Sequence, residues 1–197
     1  MTECFSLLTH SLPTTIKVGG KNVRIDTRTC KALQSFVISE MENLPVEERA
    51  EAVVEILVPE AGNFDADKRA EAYGELVKFL SGYPSTAPRK KNAKALLSYE
   101  QDHALIVAAF RQAYGVSLAD IKAMHWWEFM ALLSGIPDDT KLSGVIEIRG
   151  MEFDPKDSPE QRKAKMKAKS AVAIRPKRRA VEEELDGEDI ISRALGG

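Results

Sequence analysis

Residues Ser98–Phe153, SYEQDHALIVAAFRQAYGVSLADIKAMHWWEFMALLSGIPDDTKLSGVIEIRGMEF, decide the class of fold. Leu105, Ile106, Ala109, Phe110, Ala113 and Tyr114 recur at the spacing of one helix face, and Gly115 is a good stop. Ser117 then caps a second helix, with Asp120 at its third position as a shortened capping box. That helix runs to Gly135-Ile136-Pro137, and Asp139 or Thr140 opens a short third one through Leu142, Val145, Ile146 and Arg149. Both tryptophans, Trp126 and Trp127, stand side by side in the second helix. At about 100° per residue, Leu118, Ile121, His125, Phe129 and Leu132 share one side of it. Trp127 projects the other way, with Trp126 and Met130 on its flank. A helix apolar on nearly all sides is either central or a partner surface. Burial within the chain is the plainer reading. The functional one is an exposed patch of Trp126, Trp127 and Met130 that docks another chain, because tryptophan anchors are enriched at interfaces.

Upstream, Thr15–Asp26 alternates Ile16 and Val18 with Val23 and Ile25 around Gly19-Gly20-Lys21-Asn22, a hairpin signal and the one convincing β signal. A hairpin alone is marginal in water and must lie on something. Three helices follow. Leu33, Phe36, Val37 and Met41 mark the first, with Asp26 or Thr27 available as its cap. Ala50, Val53, Val54, Leu57 and Val58 mark the second, stopped by Pro59 and Gly62. Asp65 caps the third, which Gly82 and Pro84 end. Their outer faces are acidic, with Glu47, Glu48, Glu51, Glu55, Asp67, Glu71 and Glu75 outnumbering Arg49, Lys68 and Arg69. The fold class is therefore mainly α: a bundle of about six helices, an N-terminal β-hairpin and a charged C-terminal tail expected to be disordered. The chain divides into residues 1–83, hairpin plus acidic helices; 84–97, a basic proline-containing linker; 98–155, the tryptophan region; and 156–197, a basic helix followed by an acidic tail.

The last part carries Arg162, Lys163, Lys165, Lys167, Lys169, Arg175, Lys177, Arg178 and Arg179, then reverses sign at Glu182–Asp189; residues 171–197 are expected to form the disordered tail, with a short helix around Ile190–Leu195. Such blocks are usually solvated. Nucleic-acid binding through the basic run is the sharper alternative, and the adjacent acids and missing recognition helix weigh against it. The remaining candidates are weaker. His125 and Glu128 are three apart, a spacing that can bind metal on a helix, yet no HExxH or CxxC accompanies them. A histidine whose ring nitrogens meet a carbonyl or carboxylate is the better reading. Gly19-Gly20-Lys21 lacks the frame of a phosphate loop, and no GxSxG is present. With 197 residues, 44% hydrophobic and 29% charged, and a net charge of −2, the chain reads as soluble and globular without global bias toward nucleic acid or membrane. Cys4 and Cys30 are expected to be reduced. No signal peptide and no membrane helix is read. Neither a cofactor nor a metal is expected, and an enzyme is the class supported least.

YEQDHALIVAAF (Tyr99–Phe110), AYGVSL (Ala113–Leu118), HWWEFMALLSGIPDDTKL (His125–Leu142) and IEIRGMEF (Ile146–Phe153) resemble the signature region of the bacteriophage gene-product-fifteen family. LPTTIKVGGKNVRIDTRTCKAL (Leu12–Leu33) resembles that family's N-terminal hairpin and first helix, so the likeness spans residues 12 to 170. It implies a protein of phage or prophage tail modules, encoded between the major tail protein and the tape-measure protein. That position resembles the position of tail assembly chaperones, which bind the tape-measure protein before the tube forms and are absent from the virion. The implied partners are the tape-measure protein and, secondarily, the major tail protein or further copies of the chain. The implied location is the host bacterial cytoplasm, the alternative being a structural component of the virion tail. The family has no catalytic motif to transfer.

Overall fold

Ile16, Val18, Val23 and Ile25 turn one face of a two-stranded hairpin inward, and that alternation is what docks it. A computed structural model describes residues 6–39, 41, 44–82 and 95–175. Strands β1 (Thr15–Val18) and β2 (Lys21–Arg24) pair antiparallel with Val18 opposite Lys21. The loop is thus only Gly19-Gly20, shorter than the four-residue turn the sequence suggested. Both glycines hold positive φ, 57° and 75°, which a two-residue turn of this hand requires. The hairpin lies on α3 (Ala66–Leu80), and the Gly19 N–H donates to Glu71 Oε2 at 2.7 Å.

Helices α1 (Thr29–Ser39), α2 (Val46–Leu57) and α3 pack in sequence, with a 3₁₀ turn at Ala61–Asn63 before α3. Asp65 caps α3 as its sequence position implied, its carboxylate accepting the Lys68 N–H at 2.9 Å. Neither Asp26 nor Thr27 caps α1. The Asp26 carboxylate instead takes the Arg28 N–H and guanidinium, and the Arg28 hydrogen bonds, outweighing partial burial, hold its carboxyl below the usual range.

The second half supplies α4 (His103–Tyr114), α5 (Leu118–Ala123), α6 (Trp126–Ser134), α7 (Lys141–Gly150) and α8 (Pro159–Ala171). Gly115 ends α4 in the left-handed conformation, and Thr140 caps α7 through the Ser143 N–H. At Ser117 both capping-box bonds form, so the shorter Asp120 suffices: Ser117 N–H to Asp120 Oδ2 is 2.7 Å, and Asp120 N–H to Ser117 Oγ is 3.2 Å. The expected count of about six becomes eight α-helices among the described residues. The tryptophan helix breaks in two, and the basic helix expected after residue 156 forms as α8, opened by Pro159 and a Ser158/Gln161 capping box.

One apolar core joins the two halves. It runs from the hairpin through Val53, Leu57, Leu76 and Phe79 to Phe110, Trp126, Phe129 and Leu142. Residues 84–94 of the expected linker lie outside the described residues, as does the tail beyond Arg175. Residues 171–175, expected to begin that tail, are held in place. Arg149 bonds the Val172 carbonyl, and the Arg175 peptide pairs with the Gln101 side chain. Among the described residues no helix is long and apolar enough to cross a membrane.

Candidate functional site

The continuous helix expected from Ser117 to Gly135 is interrupted at Met124 and His125, whose ψ angles of 146° and 138° are extended. Extended backbone there leaves peptide groups that need partners. The segment Thr27–Thr29 provides them. Trp126 N–H donates to Thr27 O at 2.8 Å, Thr29 N–H to Met124 O at 2.8 Å, and Arg28 bridges His125. His125 is the N-cap of α6, not a member of an apolar stripe. Its Nδ1 accepts the Trp127 N–H at 3.1 Å, so Nε2 carries the proton given to Pro13 O at 3.0 Å. The carbonyl-bound reading of this histidine holds; with both nitrogens engaged, its ring has no lone pair directed outward.

The break turns both tryptophans toward the end of α3. The four last carbonyls of a helix have no partners within it. Trp126 Nε1–H donates to Leu80 O at 3.0 Å, and Trp127 Nε1–H to Phe79 O at 2.8 Å. Trp126 is fully buried, stacked on Phe129 at 5.5 Å and tilted against Phe36 at 5.3 Å. Trp127 stacks on Phe79 at 6.1 Å and is 9% exposed. Met130 is half-buried, so close to Gly82 that a Cβ there would sit 2.8 Å from its sulfur. The exposed docking patch expected at Trp126, Trp127 and Met130 is therefore corrected: these side chains join α6 to the end of α3. The reason is the two-residue break, which no proline or glycine announces.

The apolar surface lies one layer away. A groove of about 860 Å³ runs between α1 and the pair α4–α5. Cys30, Leu33, Val37 and Ile38 form one wall; Ile106, Val107, Leu118 and Ile121 form the other, with Phe129 and Ile56 at the base. Its polar lining is sparse: Thr29, Gln34, Tyr99, His103 and Lys122. Leu118 is 48% exposed on its lip. Sequence reading missed this site, although α1 carried a signal. Leu33 and Val37 are apolar in addition to buried Ala32 and half-buried Phe36, an arc wider than one helix contact needs.

The basic segment divides by role. Arg162 bonds the carbonyls of Asp154 and Pro155, Lys165 holds Asp157 at 2.7 Å, and Lys169 meets the Met151 carbonyl and lies over the Phe153 ring. The Lys165 bond holds the Asp157 carboxyl below its usual range. Arg175 is placed through its peptide, and Lys163 and Lys167 are exposed. Lys177, Arg178 and Arg179 lie outside the described residues. Three of the six described cations thus fasten α8 to the loop before it, which weakens the electrostatic case for a nucleic-acid surface.

One further polar feature, unforeseen from the sequence, fixes the groove's α4 wall. Arg149 of α7 grips Asp102 with both terminal nitrogens, at 2.6 and 2.9 Å, and also donates to the carbonyls of Leu96 and Val172. Both side chains are buried, at 9% and 4% exposed. The pair joins α4, α7 and the end of α8. Burial pushes the Asp102 carboxyl up, but the bonds from Arg149 and the Ser98 N–H, with the guanidinium charge, leave it lowered on balance. Among the described residues no group of three or more His, Cys, Asp or Glu side chains is placed to hold a metal.

This architecture defines a mainly helical protein with an apolar groove between α1 and the α4–α5 pair. Residues 8–174 match the family described as bacteriophage Gp15 protein, and the chain belongs to that family. It is accordingly a phage protein of the structural and morphogenetic kind. Comparison with curated proteins and with solved structures found no match.

Proposed function

We propose that the chain is a non-catalytic tail assembly chaperone that takes an amphipathic helix of the tape-measure protein into the α1–α4–α5 groove, in the host bacterial cytoplasm. The observation that carries the reading is the groove: open, lined mainly by apolar side chains, and set among charged outer faces. Helix-in-groove recognition uses such a surface, with anchors at i, i+3, i+4 and i+7 of the ligand. A tape-measure protein, a very long helix with repeated apolar stripes, aggregates unless those stripes are covered. Family membership supports a role in morphogenesis, and the groove supports the mode of contact.

Co-expression with the tape-measure protein tests this. Leu118→Glu places a carboxylate on the groove lip at an already exposed position. It is expected to reduce recovery of the tape-measure protein at least about tenfold, the cost of burying one unpaired charge in an apolar interface. The melting temperature should stay nearly unchanged. Undiminished capture by a folded Leu118→Glu chain would exclude the groove as the contact. Mass spectrometry of purified virions separates the chaperone from a structural tail component, which would be retained.

A further inference from the structure

We propose that the helix the groove accepts is acidic along its borders: an apolar stripe flanked by Asp or Glu side chains that meet the cations of α1, α4 and α5. This rests on the groove as a helix-binding site and adds the charge its ligand carries.

The charge of the walls carries the inference. Lys122 and His103 line the groove, and no carboxylate does. The three helices that build it hold Lys31, Arg111 and Lys122 against a single carboxylate, Asp120. That carboxylate is engaged by the Ser117 N–H at 2.7 Å, and it stands about 160° round α5 from Lys122. The cations border the apolar rows. Arg111 extends the His103–Val107 row of α4 by one turn, and Lys31 shares a side of α1 with Ile38, seven positions on. Lys31, Arg111 and Lys122 enter no ion pair among the described residues, and Lys122 is exposed. The sign is local, since α2, packed on α1, carries Glu47, Glu48, Glu51 and Glu55 against Arg49. Unpaired positive charge around an apolar trough selects a ligand of opposite sign and repels one of like sign. The chain's own acid-bearing helices do not supply such a ligand to a second copy. In α2 and α3 the apolar faces, with Val53, Leu57, Leu76 and Phe79, are buried in the core.

Fluorescence anisotropy on the full chain tests this with three labelled peptides of about 18 residues, five helical turns, that share one leucine stripe and carry Glu, Gln or Lys along its borders. The Glu peptide is expected to bind at least about fivefold tighter than the Gln peptide, and the Lys peptide weakest, a gap that closes between about 0.05 and about 0.5 M salt. Lys122→Glu, at an exposed position, should narrow the gap while circular dichroism shows unchanged helix content. Leu118→Gln, which leaves the charge of the walls alone, should weaken the Glu and Gln peptides alike. Equal affinities for the three, each reduced in Leu118→Gln, would overturn the charge inference and leave the groove reading standing. A Glu preference that Leu118→Gln leaves intact would put the acidic contact outside the groove and overturn the inference, as would binding of none of the three. A chain that dimerises at the titrated concentrations, with Leu118→Gln restoring the monomer, would assign the groove to a second copy and overturn it too.

Discussion

Trp126→Ala is expected to lower the free energy of unfolding by about 3–5 kcal/mol, the range for truncating a large buried aromatic, and so to remove a large part of the stability of a domain this size. The side chain is fully buried among Phe36, Tyr99 and Phe129, and its indole N–H holds the Leu80 carbonyl. Trp126→Phe separates the two contributions. It keeps much of the ring contact and orphans the carbonyl, at about 1–3 kcal/mol. Trp127→Phe should cost less than Trp126→Phe, because the Phe79 carbonyl also accepts the Gly82 N–H at 3.1 Å. Urea unfolding followed by far-ultraviolet circular dichroism measures all three. A Trp126→Ala chain as stable as the parent would mean that the indole pair does not hold α6 to α3.

The second large effect lies at Asp102 and Arg149. Arg149→Met leaves a buried carboxylate without its cation, and breaking such a pair typically costs about 3–5 kcal/mol. Arg149→Lys is expected to recover little, since one ammonium cannot bond both carboxylate oxygens and the carbonyls of Leu96 and Val172 in the same fork. Replacing both partners, Asp102→Leu with Arg149→Met, should be milder than either single change. The pair also predicts a direction with pH. The folded-state value of Asp102 is lowered, so its contribution is complete above the unfolded carboxylate value of about 3.9 and is lost as pH falls through the lower folded value. Stability of the parent should therefore fall more steeply below about pH 4 than that of the double variant. Parallel acid-unfolding curves for the two would contradict this.

What was legible in the sequence was local. The hairpin, the Asp65, Ser117 and Thr140 caps and the Gly115 stop depend on a few adjacent residues, and each formed where its pattern stood. What was not legible depends on partners far along the chain. The break at Met124–His125 is stabilised by Thr27–Thr29, and no residue near the break marks it. A helical wheel drawn through that break placed His125 on a core stripe and pointed Trp127 outward; both placements were consequences of assuming one rigid helix. Asp102 reads as an ordinary residue before a helix, and its partner stands 47 positions away. The groove belongs to no single element. It is the space left where α1 meets α4 and α5, and only the surplus apolar arc on α1 hinted at it. The aromatic residues that looked like the docking surface instead set the angle at which that surface is built.

Hydrogen–deuterium exchange on the chain, alone and in complex with the tape-measure protein, tests the central claim most directly. Added amide protection is predicted along α1 from Thr29 to Ser39 and along α4 and α5 from His103 to Ala123, the two walls of the groove. Protection confined to α8, or a complex that leaves those walls exchanging as before, would contradict it.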